Sequence, residues 1–242
     1  MSSSHSRPKT IDALHIELAK IELAKIENLY KADCINWAGR TNDTHEFYTE
    51  VIAQELLKED NVKEFEKIEH VTRTSSYCRD THSKIEIDLA NSNRSEENFA
   101  KRITGLKLQH LGLIKDFQIP LKDTLLGDTG LGKIDLISFN KDVNTLFLIE
   151  LKYIDNRDTL LRALLESYTY YKIVDQTKLK DDYKFSSKEI ITKPAVLLVP
   201  GCTAHTELKE MEKSKRPMLK DLTLALDVKI FTLELSVYEP KL

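Results

Sequence analysis

Apolar positions recur every three or four residues near the start of the chain. Ile11, Leu14, Leu18 and Ile21 form one stripe, which predicts a helix over 10–30. Phe47, Val51, Ile52, Leu56 and Leu57 give a second apolar face over 45–58, with a continuation predicted over 62–70. The doubled IELAK at 16–20 and 21–25 covers only ten residues and reads as chance within a helix-rich stretch. Residues 72–83 are polar and without period, 84–89 (KIEIDL) read as a short strand, and 90–95 (ANSNRS) is a cluster of turn and capping residues.

The pattern changes at Ser95, a good N-cap for a helix over 96–108. Strands are predicted over 117–121, 133–139 and 145–153, the last two joined by a turn at 140–144. A helix over 159–174, a strand over 195–200, a helix over 205–226 interrupted at Pro217, and a strand over 228–235 follow. This order predicts an α/β domain over 95–242, with a central mixed sheet flanked by helices, preceded by a mainly helical region over 1–94.

Composition narrows the function classes. The net charge of −3 argues against a protein that coats nucleic acid through a strongly basic surface, yet leaves room for a local basic groove. Cys34, Cys78 and Cys202 are odd in number and far apart, so neither a disulfide framework nor a zinc ribbon is predicted. The first ten residues are polar, and the longest apolar run, 195–200, is too short to cross a bilayer. The expectation is a cytoplasmic protein without a membrane partner. The glycine-rich stretch 127–132 (GDTGLG) lacks the Lys-Ser/Thr of a phosphate loop and leads into a strand, so it reads as a turn. The seven histidines do not cluster in sequence.

The chemistry concentrates in residues 132–153, GKIDLISFNKDVNTLFLIELKY. Side chains alternate along a strand, so Leu146, Leu148, Glu150 and Lys152 share one face, and Phe147, Ile149, Leu151 and Tyr153 the other. Both faces begin apolar, as in a strand buried on both sides, where unpaired charge is costly. If Asn140 pairs with Thr145, then Phe139 meets Leu146, Ile137 meets Leu148 and Asp135 meets Glu150, with Lys152 diagonal to them. A shift of one residue would place Asp135 on the other face, and the apolar pattern alone does not exclude it. Two adjacent carboxylates repel unless one is protonated or a cation lies between them. A hard divalent ion held through oxygen answers that repulsion and can act on a phosphoryl oxygen. A plain ion network of Asp135, Glu150 and Lys152 is the structural alternative.

Asp135 followed by Glu150-Leu151-Lys152 resembles the PD-(D/E)xK nuclease superfamily, which includes restriction endonucleases and repair nucleases. Gly132-Lys133-Ile134-Asp135-Leu136 is similar to the opening of that family's aspartate strand, with Ile134 in place of the proline. The resemblance covers about residues 95–200 and implies a restriction-endonuclease-like core. It also implies a nuclease of nucleic acid, DNA ahead of RNA, that uses Mg2+, with Mn2+ as a substitute. By this resemblance Asp135, Glu150 and the Leu151 carbonyl hold the metal, and Lys152 positions or activates water. Glu96 supplies an acidic residue from the first core helix, chosen over Glu97 because it shares a face with Phe99, Ile103 and Leu106. On the helix after Lys152, Glu166 stands where many members carry glutamine, a departure. Arg162, Lys172 and Tyr170 are the expected nucleic-acid contacts. A homodimer is compatible with this reading. A relative that has lost cleavage and binds nucleic acid or protein partners is the rival.

Overall fold

A computed structural model describes residues 7–19, 23–78, 95–121, 132–185 and 189–233. Its centre is a six-stranded mixed sheet whose order in space follows the chain, β1-β2-β3-β4-β5-β6. The strands are β1 (Lys107–Leu108), β2 (Gly112–Pro120), β3 (Lys133–Asn140), β4 (Thr145–Lys152), β5 (Ile191–Leu198) and β6 (Lys229–Thr232). The first four pair antiparallel; β4–β5 and β5–β6 pair parallel. A parallel pair needs a crossover, and helix α5 (Leu160–Ile173) with the short α6 (Gln176–Asp182) supplies the first. Helices α7 (Thr203–Glu212) and α8 (Pro217–Ala225) supply the second. Pro217 divides what the periodicity predicts as one helix: it sits at the first turn of α8, where its missing N–H costs nothing. β5 begins four residues earlier than predicted and runs through Pro194. The proline is tolerated because β6 pairs only from Ala195 onward, which leaves its outer side without a partner strand.

All eight residues of β4 are buried. One face, with Leu146 and Leu148, packs with Ile137 of β3, Val196 and Leu198 of β5 and Leu160, Leu161 and Leu164 of α5. The other, with Phe147, Ile149 and Leu151, packs with Leu136, Ala195, Leu197 and helix α4 (Ser95–Ile103) through Phe99, Ala100 and Ile103. α4 carries Glu96 and Glu97 in its first turn and Lys101 and Arg102 in its last, the polarity the helix dipole favours. It ends at Ile103, short of the predicted Leu108, because Lys107 and Leu108 leave to form β1.

Upstream, the helix predicted over 10–30 divides into α1 (Ile11–Leu18) and a 3₁₀ segment, Leu23–Lys31, that is kinked at Lys25 (φ −124°, ψ 49°). A second 3₁₀ turn, Asp33–Asn36, precedes α2 (Tyr48–Leu56) and α3 (Glu59–Glu66). These elements share one apolar core with the sheet: Leu14, Ile26, Tyr30, Ile35, Ile52 and Phe65 belong to the same buried cluster as Leu148 and Leu164. They cover α5, which buries nine of its residues. The predicted strand over 84–89 and the glycine-rich turn, apart from Gly132, lie outside the described residues. Among the described residues, no helix is long and apolar enough to cross a membrane.

Candidate active site

The β3–β4 hairpin takes the expected register: Asn140 pairs with Thr145, Phe139 with Leu146 and Ile137 with Leu148. The ladder runs to Leu136–Ile149, and one further step sets Asp135 opposite Glu150. There the Leu151 N–H donates to Asp135 Oδ2 at 2.9 Å. The Leu151 carbonyl leaves the strand on the same edge as that N–H, toward Asp135, while the Lys152 carbonyl accepts from Val199 on the β5 side. Asp135 Oδ1 accepts from Gln118 Nε2 at 2.9 Å.

Lys152 is only 3% exposed, and Glu150 5%. The Lys152 ammonium meets Glu150 Oε1 at 2.7 Å, Asp158 Oδ2 at 3.0 Å and Glu166 Oε2 at 3.4 Å. One cation therefore faces three carboxylates, with Asp135 behind Glu150. Burial pushes Asp135 up to about 7, helped by the charge of Glu96. Burial, then the charges of Asp135 and Glu166, hold Glu150 well above the usual carboxylate range. Burial alone would lower Lys152, but Glu150, Glu166 and Asp158 outweigh it and raise the ammonium well above its ordinary value. A lysine so held is protonated, suited to stabilising negative charge or orienting water rather than to taking a proton.

Glu96 reaches this end of β4 from α4. Its Oε2 accepts from the Tyr153 N–H at 3.0 Å and from Asn156 Nδ2 at 3.2 Å, and burial raises its pKa. Glu97 instead pairs with Lys101 along the helix surface at 3.0 Å. Arg162, one turn into α5, lies beside Asp158 (Nε to Oδ1 3.7 Å), and its buried Nε has no hydrogen-bond acceptor among the described residues. Lys172 belongs elsewhere. It sits ten residues along α5, about 15 Å by helical rise, and lines a surface cavity of about 580 Å³ with His70, Asp175 and Gln176. Tyr170 is not at the surface: it is 6% exposed and donates to Glu166 Oε1 at 2.9 Å. The resemblance makes Tyr170 a nucleic-acid contact; in the structure the upstream elements, Tyr30 among them, cover its side of α5.

Asp158 and Gln118 are the residues that sequence reasoning missed. Asp158 lies in the turn before α5, where no period marks it. Gln118 has φ 50°, a left-handed backbone within β2, downstream of the register shift between Ile114 and Asp116. Such strain in a non-glycine residue gathers at functional sites.

The donor chemistry here fits a hard divalent cation: all the acidic ligands are oxygen, and the carboxylates outnumber the cations. The spacing is not that of a closed site. Among the described residues, no group of three or more His, Cys, Asp or Glu is arranged to hold a metal ion, and the Lys152 ammonium itself pairs with Glu150, Asp158 and Glu166. No family model, curated protein or solved structure matches the chain.

Proposed function

We propose that this chain hydrolyses phosphodiester bonds in nucleic acid, DNA ahead of RNA, with magnesium or manganese as cofactor. The observation that carries the reading is the excess of buried carboxylate over ammonium at the end of β4, with Asp135 and Glu150 both held toward their protonated forms. A cation would relieve that excess. Asp135, Glu150 and the Leu151 carbonyl are the groups that would hold it. A bound divalent ion supplies Lewis acidity toward a phosphoryl oxygen.

The chain's own residues supply the rest. The Lys152 ammonium stands next to Glu150 and stabilises charge developing on the phosphate. Arg162, beside Asp158 and with its own side chain 30% exposed, is the residue that would meet a phosphate oxygen through its guanidinium. Glu96 fixes the loop after β4 through Tyr153 and Asn156. The site lies at the carboxyl ends of parallel strands β4 and β5, the end at which open α/β sheets bind their ligands. The order α4, β1, β2, β3, β4, α5, α6, β5 is compatible with the helix, hairpin, helix and strand of the restriction-endonuclease-like core that the resemblance implies, with β1 and α6 in addition.

The test is a cleavage panel of single- and double-stranded DNA and RNA, with magnesium, manganese or chelator. It compares wild type with Asp135→Ala and Lys152→Ala. Metal-dependent cleavage lost in both folded variants supports the proposal. Nucleic-acid binding without cleavage by wild type would favour the inactive relative. Neither binding nor cleavage would leave an ion network, the reading that the closed Lys152–Glu150 pair favours.

A further inference from the structure

Two hydrogen-bonded routes run from the amino-terminal segment to Lys152. The first passes through Asn36. Its Nδ2 donates to Asp158 Oδ1 at 3.0 Å, while its Oδ1 accepts from the Thr159 N–H at 2.8 Å. Asp158 uses its other oxygen, Oδ2, on the Lys152 ammonium. Thr159 in turn donates from Oγ1 to the Ile35 carbonyl at 2.7 Å, so the turn carrying Asp158 is fastened to residues 35 and 36 at three points.

The second route passes through Tyr30. Its hydroxyl meets that of Tyr170 at 3.2 Å, and both side chains are buried. The Tyr170 hydrogen goes to Glu166 Oε1, so Tyr30 is the donor in the tyrosine pair. Glu166 then presents Oε2 to Lys152. The relay has no slack on the sheet side: a Cβ at Gly132 would lie 1.9 Å from the Tyr170 hydroxyl.

We propose that Tyr30 and Asn36 are positioning residues that set the Lys152 ammonium through Glu166 and Asp158. Each removes one freedom from a carboxylate that holds the lysine. Without them both carboxylates can rotate, and Lys152 loses the orientation fixed by three acceptors. The segment 30–36 is thus part of the site that the downstream residues form, although it lies about 120 residues from Lys152 in sequence. The kinetic half of this inference rests on the hydrolase reading; the structural half does not.

The test uses the full chain and Tyr30→Phe, which keeps the ring, together with Asn36→Ala. Tyr170→Phe breaks the second route from the other end and serves as an independent variant. Two readouts are taken: steady-state cleavage with manganese, and the Lys152 ζ-ammonium signal in 15N NMR, which persists only while its hydrogens are held from exchange. The expected result is a fall in kcat of about tenfold per variant, equivalent to about 1.4 kcal/mol, with KM and manganese affinity within about twofold of wild type. The ammonium signal should broaden in each, with an unfolding midpoint near that of wild type. An unchanged ammonium signal in folded Tyr30→Phe and Asn36→Ala overturns the inference. A broadened signal with unchanged kcat overturns its kinetic half. If wild type cleaves nothing, the hydrolase reading fails, and the ammonium signal alone decides whether these residues position Lys152.

Discussion

Replacing Lys152 with methionine isolates what the ammonium does, because methionine keeps the length and volume of the side chain and leaves no large void. Three carboxylate oxygens lie 2.7, 3.0 and 3.4 Å from the nitrogen. At an effective dielectric of about 20 each contact carries roughly 5–6 kcal/mol of gross attraction. Much of this is offset by desolvation, most for Lys152 and Glu150, which are 3% and 5% exposed, and less for Asp158 and Glu166, whose side chains are 22% and 14% exposed. The net effect of removing one partner is the relevant figure, and for a buried pair that is a loss of about 3–5 kcal/mol. Replacing Glu150 with glutamine in the same chain removes the nearest stranded charge and should recover about 2 kcal/mol of it. Urea unfolding in chelator at pH 8, read by circular dichroism, gives all four corners of the cycle. The slope m should stay constant, which keeps the comparison one of stability. A loss below about 1 kcal/mol in Lys152→Met, or effects that add within about 0.5 kcal/mol in the double variant, would show that the ammonium is not neutralising these carboxylates.

Three further outcomes follow from the geometry. Gln118→Gly should relieve the left-handed backbone and leave stability equal or higher by up to about 1 kcal/mol; cleavage and manganese affinity should fall because the Asp135 Oδ1 partner is gone. Equal activity in a folded Gln118→Gly would reduce the residue to a bend in β2. Gly132→Ala should cost about 1–3 kcal/mol in thermal or urea unfolding, since the new methyl displaces the Tyr170 hydroxyl; a neutral effect would refute the close approach. Glu207 is buried, and burial pushes its carboxyl up to about 7 against the lowering effect of Arg216. Its folded value is raised, so the folded chain binds the extra proton. The stability it contributes is present below the unfolded value, near 4.5, and lost as pH rises through about 7. Glu207→Gln should remove about 3 kcal/mol of pH-dependent change over that window, and an unaltered stability–pH slope would contradict the assignment.

The hairpin was legible because two apolar strands flank a short turn, but its register rested on pairing Asn140 with Thr145, since strands apolar on both faces leave a one-residue shift open. Asn140–Thr145 closes the turn, and the rest follows by alternation. Glu96 could be chosen over Glu97 for a similar reason: the apolar stripe of α4 fixes which side faces the sheet. What could not be read depends on contacts between distant segments. Tyr170 resembles a surface tyrosine until Tyr30 is placed on it, and the stripe of α5 carries no sign of a second covered face. Asp158 and Asn36 occupy turns, where no period marks a buried role. Gln118 is aimed by the irregular backbone of β2, and its φ is not a property of the residue type. The first predicted helix is shorter than its composition suggests: α1 closes at Leu18, and the 3₁₀ segment from Leu23 is kinked at Lys25, and nothing local foretells either.

The claim that the end of β4 holds a divalent cation is reached most directly by titrating manganese into the metal-free chain and following binding by electron paramagnetic resonance. Wild type should take up a single ion saturably, with affinity in the millimolar range or tighter, and Asp135→Asn and Glu150→Gln should each abolish that uptake while remaining folded. No saturable uptake by wild type, or uptake undiminished in Asp135→Asn, would contradict the account.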